Sequence, residues 1–505
     1  MAATRIGKGI TYIAILNVFQ FAVGLVFYYI VSNILTPTEI GVMSTLNFAH
    51  ATFIVLAPLG LQFAAVKYIA DYLARGDEVR AAAVAKTMTR LVLVASLGFL
   101  AVFIGIAVSL IRVWADMENI ELLFVVISVA AAFGALRNAY LALLQGLQLF
   151  DRYAIANLAA MSLSRLFGMI LALMRQGLLG VVLGVLLGEA CGLLLTFYFY
   201  RGHLPNAKQG IESKVLFSFS LPIFGMMMLA TLQDWSDRML FLIMSHDLDA
   251  LGLFELVIRA STSLGIVGAI MDVIMLPVFS DAFAKGGKGR MAPMLTTALR
   301  YLGFMYFPAA VGMATIARTT MTILYQAKTA EAGYLPLTVL AIFSIFNTFA
   351  TILNSGLKSI GKTSSFVRIS LLALIVDSAI VAVLSPRVGL YGAVVARSAS
   401  VFATFAYTLL LLGKEVTVSV DRDGLWKALA ASVSIVPPVV LLDRFVRFPH
   451  IFISLAAEMA VAVAVYALVL LFLRALKRQD FHILRQMMPP KLHGVVDALE
   501  RLYVR

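Results

Sequence analysis

Residues Ser213 to Met244 read SKVLFSFSLPIFGMMMLATLQDWSDRMLFLIM. Most of this stretch is apolar enough to sit in a bilayer, yet Asp234, Asp237 and Arg238 lie deep inside it. A charge near the centre of a membrane helix costs about 2.5–3.5 kcal/mol on insertion scales. Three charges in five residues are tolerable only if they face protein or water. Asp234 and Arg238 are four positions apart, so they share a helical face on which they can pair. The next apolar stretch carries Glu255 and Arg259 at the same spacing. Matched acid–base pairs on neighbouring spans predict a polar, water-accessible interior. The bland alternative is two helix-locking salt bridges with no substrate role. So many buried charges weigh against it for the group, because stability alone rarely requires them.

The chain has 505 residues, of which 61% are hydrophobic and 13% charged. Its mean hydropathy is +0.95. Apolar runs of roughly 20 residues recur along its whole length, the signature of membrane spans. They are continuous, without the short alternating segments of a membrane β-barrel. The fold class expected is therefore an all-α polytopic membrane protein. The first span follows Arg5 and Lys8 and is too long for a signal-peptide core, which predicts an uncleaved helix. The single cysteine, Cys191, excludes an intrachain disulfide. The net charge of +13 does not read as nucleic-acid binding, because Lys and Arg concentrate in alternate loops. By the positive-inside rule this predicts cytoplasmic termini and an even number of spans.

Fourteen spans are expected. Six lie near 9–35, 38–70, 86–112, 119–145, 150–174 and 178–200. The polar linker RGHLPNAKQGIE, Arg201 to Glu212, then marks a boundary. Six more follow near 214–244, 249–279, 293–317, 332–357, 365–385 and 388–412, with a last pair near 425–442 and 450–474. The two sets of six resemble each other. TEIGVM from Thr38 resembles DALGLF from Asp249, LLQGLQLFDR around Gly146 resembles LNSGLKSIGK around Gly356, and GLLGVVLG around Gly180 resembles GLYGAVVA around Gly392. The offsets are 211, 210 and 212 residues. Two six-span halves of like orientation form a parallel repeat with a pseudo-twofold axis along the membrane normal. The expected domains are an N-lobe (1–205), a C-lobe (206–413), the last two spans (414–476) and a basic amphipathic cytoplasmic tail (477–505).

No HExxH, P-loop or GxSxG occurs, and the loops are too short for a soluble catalytic domain. His50 is the histidine most worth attention, since it falls inside the second span. The chemistry rests on intramembrane charges: Lys67, Arg137, Arg165 and Glu189 in the first half, and Asp234, Asp237, Arg238, Glu255, Arg259, Asp272, Asp377 and Arg397 in the second. Lys67 and Asp272 are expected near span ends, where they can snorkel. Arginine stays charged and binds phosphate through paired hydrogen bonds, so this set fits an anionic substrate.

The punctuation of these spans resembles the Wzx type of polysaccharide flippase, within the multidrug/oligosaccharidyl-lipid/polysaccharide exporter superfamily. The resemblance is carried by LTPTEIGVMS at Leu35–Ser44, LGLQFAAVKYIADYLARGD at Leu59–Asp77, SFSLPIFGMMMLATLQDWSDRMLF at Ser218–Phe241, LPVFSDAFAKG at Leu276–Gly286, LNSGLKSIGKT at Leu353–Thr363 and GLYGAVVARSAS at Gly389–Ser400. It covers about residues 8–412. It implies two six-helix lobes across a cationic cavity that opens alternately to each side and flips a polyprenyl-(pyro)phosphate-linked oligosaccharide. Under that resemblance Arg137, Arg165, Arg238, Arg259 and Arg397 are the phosphate-facing candidates, assigned from charge and depth. Asp234, Asp237, Glu255 and Asp377 would orient arginines or take up a coupling cation. No metal site or cofactor is implied beyond a coupling proton or sodium ion. The implied partners are the lipid-linked glycan, membrane lipids and glycan polymerase or ligase machinery in the cell membrane.

Two other readings compete. A cation-coupled multidrug exporter of the same superfamily usually has an acid in the first span, and here that span has none. An integral membrane glycan-processing enzyme would need a sizeable external loop with acids or histidine, and the loops are short.

Overall fold

A capping box at Thr36 starts one of two helices that stand at equivalent places in the repeat. In the computed structural model, Thr36 Oγ1 accepts from the backbone N–H of Glu39 and Glu39 Oε2 accepts from the N–H of Thr36 at 2.8 Å, with Pro37 at the first turn. The helix that follows is α2, Pro37–Leu56. In the repeat the same place belongs to Asp247, whose Oδ1 accepts from the N–H of Ala250 at 2.9 Å. It precedes the second helix of the pair, α9, Leu248–Thr262.

The structure describes residues 19–20, 22–114, 119–205, 209–324, 327–446, 448–477 and 480. The remaining helices are α1 (Ala22–Ile34), α3 (Leu61–Ala74), α4 (Glu78–Trp114), α5 (Ile120–Gly146), α6 (Phe150–Leu171), α7 (Gly177–Tyr200) and α8 (Ser213–Ser245). After α9 come α10 (Gly265–Thr315), α11 (Ala317–Leu324), α12 (Ala327–Ser359), α13 (Ser365–Val388), α14 (Leu390–Gly413), α15 (Arg422–Val433), α16 (Val436–Phe445) and α17 (Ile451–Phe472). No strand occurs among the described residues. Eleven helical stretches among them are long and apolar enough to cross a membrane. Two of these, Phe150–Tyr200 and Gly265–Thr315, are twice the length of a span and are interrupted midway. The first turns at Arg175 and Gly177, the second at Gly286–Gly287, where φ of Gly287 is +59°. The architecture is compatible with fourteen spans.

The expected spans near 38–70 and 425–442 are not continuous. The first breaks between α2 and α3 at Gly60, φ +75°, where a Cβ would strike the Ser220 carbonyl of α8. The second breaks between α15 and α16, ahead of Pro437 and Pro438, which cannot supply the N–H groups a continuing helix needs. The beginning of the expected first span, residues 9–18, and all but the beginning of the tail lie outside the described residues.

The chain divides into two compact units, Met1–Leu256 with Ser370–Ala396, and Val257–Ile369 with Arg397–Arg505. In the first unit α8 lies against α2 and α3. Leu216, at its start, joins the buried cluster of Leu61, Ile69, Val84, Met88 and Leu143. In the first unit α6 and α7 run antiparallel at very close approach. Cβ atoms at Gly180, Gly184, Gly188 and Gly192 would each strike α6, at Leu171–Ala172, Gly168, Ser164 and Ala160. Small residues every fourth position let two backbones meet where lipid supplies no hydrophobic drive. Gly389, φ +57°, repeats the turn of Gly177, φ +52°, and Gly392 packs on Leu384–Ser385 as Gly180 packs on Leu171–Ala172. The core of the second unit gathers Phe279, Leu295, Leu302, Tyr306, Leu353, Ile369 and Leu412.

Candidate functional site

Within the first unit, α8 carries its charges to a junction with α2, α9 and α13. Arg238 is 5% exposed, and Asp237, Glu255 and Ser44 are fully buried. Arg238 Nη1 donates to Glu255 Oε2 at 3.1 Å and its Nε to Asp237 Oδ1 at 3.3 Å. Its Nη2 donates to the backbone carbonyl of Asp234. Ser44 of α2 donates to Glu255 Oε2 at 3.1 Å. One helical face thus holds Arg238 over Asp234, as the spacing predicts, and its guanidinium reaches a carboxylate on its own helix, Asp237, and one on the next, Glu255. The guanidinium also lies 4.1 Å from the ring of Trp235, which meets Phe48 of α2 at 5.9 Å. Asp377, from α13, accepts from Ser236 Oγ at 2.7 Å. Asp234 itself is exposed. Beside this junction lies a cavity of about 380 Å3 lined by apolar atoms of Val42, Leu46, Ala49, Phe103, Phe124 and Leu242 among others.

A second buried group sits among α2, α5, α6 and α7. Arg137 Nε donates to Glu189 Oε2 at 2.6 Å, Nη2 to Oε1 at 3.4 Å, and Nη1 to Asn157 Oδ1 at 3.1 Å. His50 Nε2 stands 3.8 Å from Glu189 Oε1. Such fully partnered charges are what an apolar interior tolerates. Arg137, expected to face phosphate, is closed onto protein carboxylate here. Arg165 donates from Nη1 to the Gln20 carbonyl at 2.6 Å, lying over Gly24. Arg259 and Arg397 belong to the second unit and are partly buried.

Of the two residues expected near span ends, Lys67 is exposed and sits 4.4 Å from the Phe219 ring, and Asp272 pairs with Lys358 at 3.3 Å. Sequence reasoning overlooked Arg300 and Glu458. Arg300 donates to Asp480 at 2.6 Å and 3.0 Å and lies 3.0 Å from Asp421. Glu458, 1% exposed in α17, accepts from Ser454 at 2.8 Å and Thr319 at 3.1 Å. Each was signalled by a lone charge in an apolar run. Outside the spans, burial pushes the Asp480 carboxyl up, but bonds from Arg300, the Lys477 N–H and Tyr301 outweigh it and hold the group below the usual range. A bond from Lys477 lowers Asp421, and bonds from Lys362 and Lys288 lower Glu415.

Residues 30–334 match the family model described as polysaccharide biosynthesis protein. The chain belongs to that family. No curated protein matches its sequence. This polysaccharide biosynthesis family member is similar to a solved structure of lipid II flippase MurJ in an inward closed conformation, with a TM-score of 0.75 at 13% identity over 90% of this chain and 97% of that one. It is similar to an inward-facing multidrug resistance MATE family transporter of the MOP superfamily, with a TM-score of 0.66 at 14% identity over 79% and 97%. A MOP superfamily transporter from Pyrococcus furiosus, described as having a binding pocket of reverse polarity, gives 0.57 at 13% identity over 81% and 95%. At these identities the likeness is one of fold. The family member is a multi-pass helical membrane protein with the MOP transporter fold.

Proposed function

We propose that the protein flips a polyprenyl-(pyro)phosphate-linked oligosaccharide from the cytoplasmic to the outer leaflet of the cell membrane by alternating access, without enzymatic chemistry. The observation that carries this reading is a polysaccharide-biosynthesis sequence folded as a duplicated transporter. Both termini face the cytoplasm under this reading, and the lobes move as the halves 1–205 and 206–413. The glycan head group occupies a cationic cavity while its tail stays in lipid. Arg238 is the foremost phosphate-facing residue, with Arg137, Arg165, Arg259 and Arg397 behind it. Asp234, Asp237, Glu255 and Asp377 orient these arginines or exchange a coupling cation. Each negative charge leaving an inside-negative cell gains about 2.3 kcal/mol per 100 mV, so the potential itself favours export. A polymerase or ligase on the outer side would consume the product.

The MATE likeness and the buried acids Asp237, Glu255 and Asp377 favour a cation-coupled drug exporter as the second reading. One experiment separates them. Purified protein in liposomes is given a fluorescent polyprenyl-pyrophosphate sugar, with and without a membrane potential and proton or sodium gradients. Protein-dependent flipping that Arg238→Ala abolishes supports the flippase. Cation-driven efflux of an organic dye with no flipping of the lipid-linked sugar supports the exporter.

A further inference from the structure

His50 is largely buried in α2, and its Nε2 has no hydrogen-bond partner. The charged groups that face it are Glu189 from α7 and Arg137 from α5. Asn157, neutral, completes the group from α6 by holding Arg137 Nη1. Glu189 uses its two oxygens unequally. Oε2 takes the 2.6 Å bond from Arg137 Nε, whereas Oε1 takes only the 3.4 Å bond from Nη2 and is the atom 3.8 Å from His50 Nε2. Room for the group is built into the helices. A Cβ at Gly134 would lie 3.2 Å from the Glu189 carboxylate, and one at Gly192 would lie 2.6 Å from Arg137 Cδ.

We propose that His50 and Glu189 form a proton-binding site whose occupancy governs Arg137. With the imidazole neutral, the Glu189 carboxylate balances Arg137 and the cluster carries no net charge. A proton taken from water adds to Nε2, and the new N–H donates to Glu189 Oε1. That carboxylate then serves two cations, and Oε1 is drawn from Nη2, its weaker bond. The cluster has gained one positive charge, and a donor of Arg137 is turned outward to a phosphate-type anion. Proton and anion therefore bind cooperatively. The anion half rests on the flippase reading; the proton half does not.

The test is histidine-labelled NMR of the purified full-length protein in nanodiscs, with His50→Gln assigning the resonance. His50 is expected to take up a proton within the pH range that the folded protein tolerates. Removing the facing carboxylate withdraws the charge that favours imidazolium, so Glu189→Gln should lower the midpoint by about one pH unit. Glu189→Asp keeps the charge that Arg137 needs for folding and should lower it by less. A His50 that stays neutral throughout, or a midpoint the same in both Glu189 variants as in the wild type, overturns the site. Flipping of the lipid-linked sugar at equal pH on both sides should then rise as pH falls in the wild type and be flat in His50→Gln. A flat wild-type profile with an intact His50 titration overturns the link to Arg137. No flipping at any pH with His50 titrating as expected defeats the substrate reading and supports the proton site alone.

Discussion

Gly41 and Gly252 pack backbone to backbone. A Cβ on Gly41 would strike the Leu248 carbonyl, and a Cβ on Gly252 would strike the Pro37 carbonyl and lie 2.9 Å from the Gly41 nitrogen. The contact is reciprocal, because Leu248 stands to Pro37 as Gly252 stands to Gly41. The same offset of 211 residues separates Thr38 from its hydrogen-bond partner Asp249 and Ser44 from its partner Glu255. Positions equivalent in the repeat thus touch each other, as they must beside a twofold axis. The seam runs from the caps of α2 and α9 to the Arg238–Glu255 pair, and under the proposed alternating-access cycle it is a seal that has to part.

Alanine at Gly41 or Gly252 should therefore force the seam apart. Overpacking of this kind costs about 1–3 kcal/mol. With Cys191→Ser as background, a Thr38→Cys/Asp249→Cys pair should be joined by a short thiol cross-linker, and transport should stop. Adding Gly41→Ala should reduce the cross-linked fraction. Equal cross-linking with and without the alanine would show that the seam tolerates it.

Arg238 and Glu255 should be coupled energetically. Removing one partner of a buried ion pair leaves an uncompensated charge at a cost of about 3–5 kcal/mol. Arg238→Met and Glu255→Leu should each lower the thermal midpoint of the purified protein, and the double variant should regain part of the loss, since Asp237 still lacks its guanidinium. Transport should stay absent in the double variant if Arg238 meets substrate. A double variant with full transport would confine the pair to a structural role.

The start of the C-terminal tail should matter to stability. Arg300 is 5% exposed and its two bonds to Asp480 anchor the start of the tail. Truncation after Leu476 should lower the melting temperature. Asp480 has a depressed folded pKa, so its stabilisation is complete above its unfolded value of about 3.9 and is lost as pH falls through the folded one. Melts at pH 7 and toward pH 3 should therefore converge between wild type and Asp480→Asn. A constant difference across that range would contradict the assignment.

Gly184 and Gly98 should respond oppositely to alanine. A Cβ at Gly184 would strike the backbone of Gly168, and one at Gly98 in α4 meets nothing within 4 Å. Gly184→Ala should reduce folded yield by size-exclusion chromatography. Gly98→Ala should be neutral or stabilise the helix by up to about 1 kcal/mol.

The repeat was legible because Gly and capping residues are few and their positions are fixed by backbone geometry. Thr36-Pro37-Thr38-Glu39 announces a helix start, and the glycines after the turns at Gly177 and Gly389 announce close packing. The charge partners were legible only in part. Spacing can propose neighbours along one helix, but it does not show that Arg238 also reaches Glu255 on the next or that Arg137 reaches Glu189 52 residues away. A guanidinium on a flexible stem selects the carboxylate that packing brings within reach, and periodicity within one helix carries no record of its neighbours.

By itself the sequence determined a duplicated bundle of membrane helices, because a bilayer demands about 20 apolar residues per span and tolerates charges only in protected places. Only the tertiary structure decided which charges meet, that Arg137 is held by Glu189 beside an unpartnered His50 nitrogen, and that the two repeats touch at Gly41 and Gly252. Those outcomes depend on how closely helix backbones approach, which is set by small residues on several helices acting together.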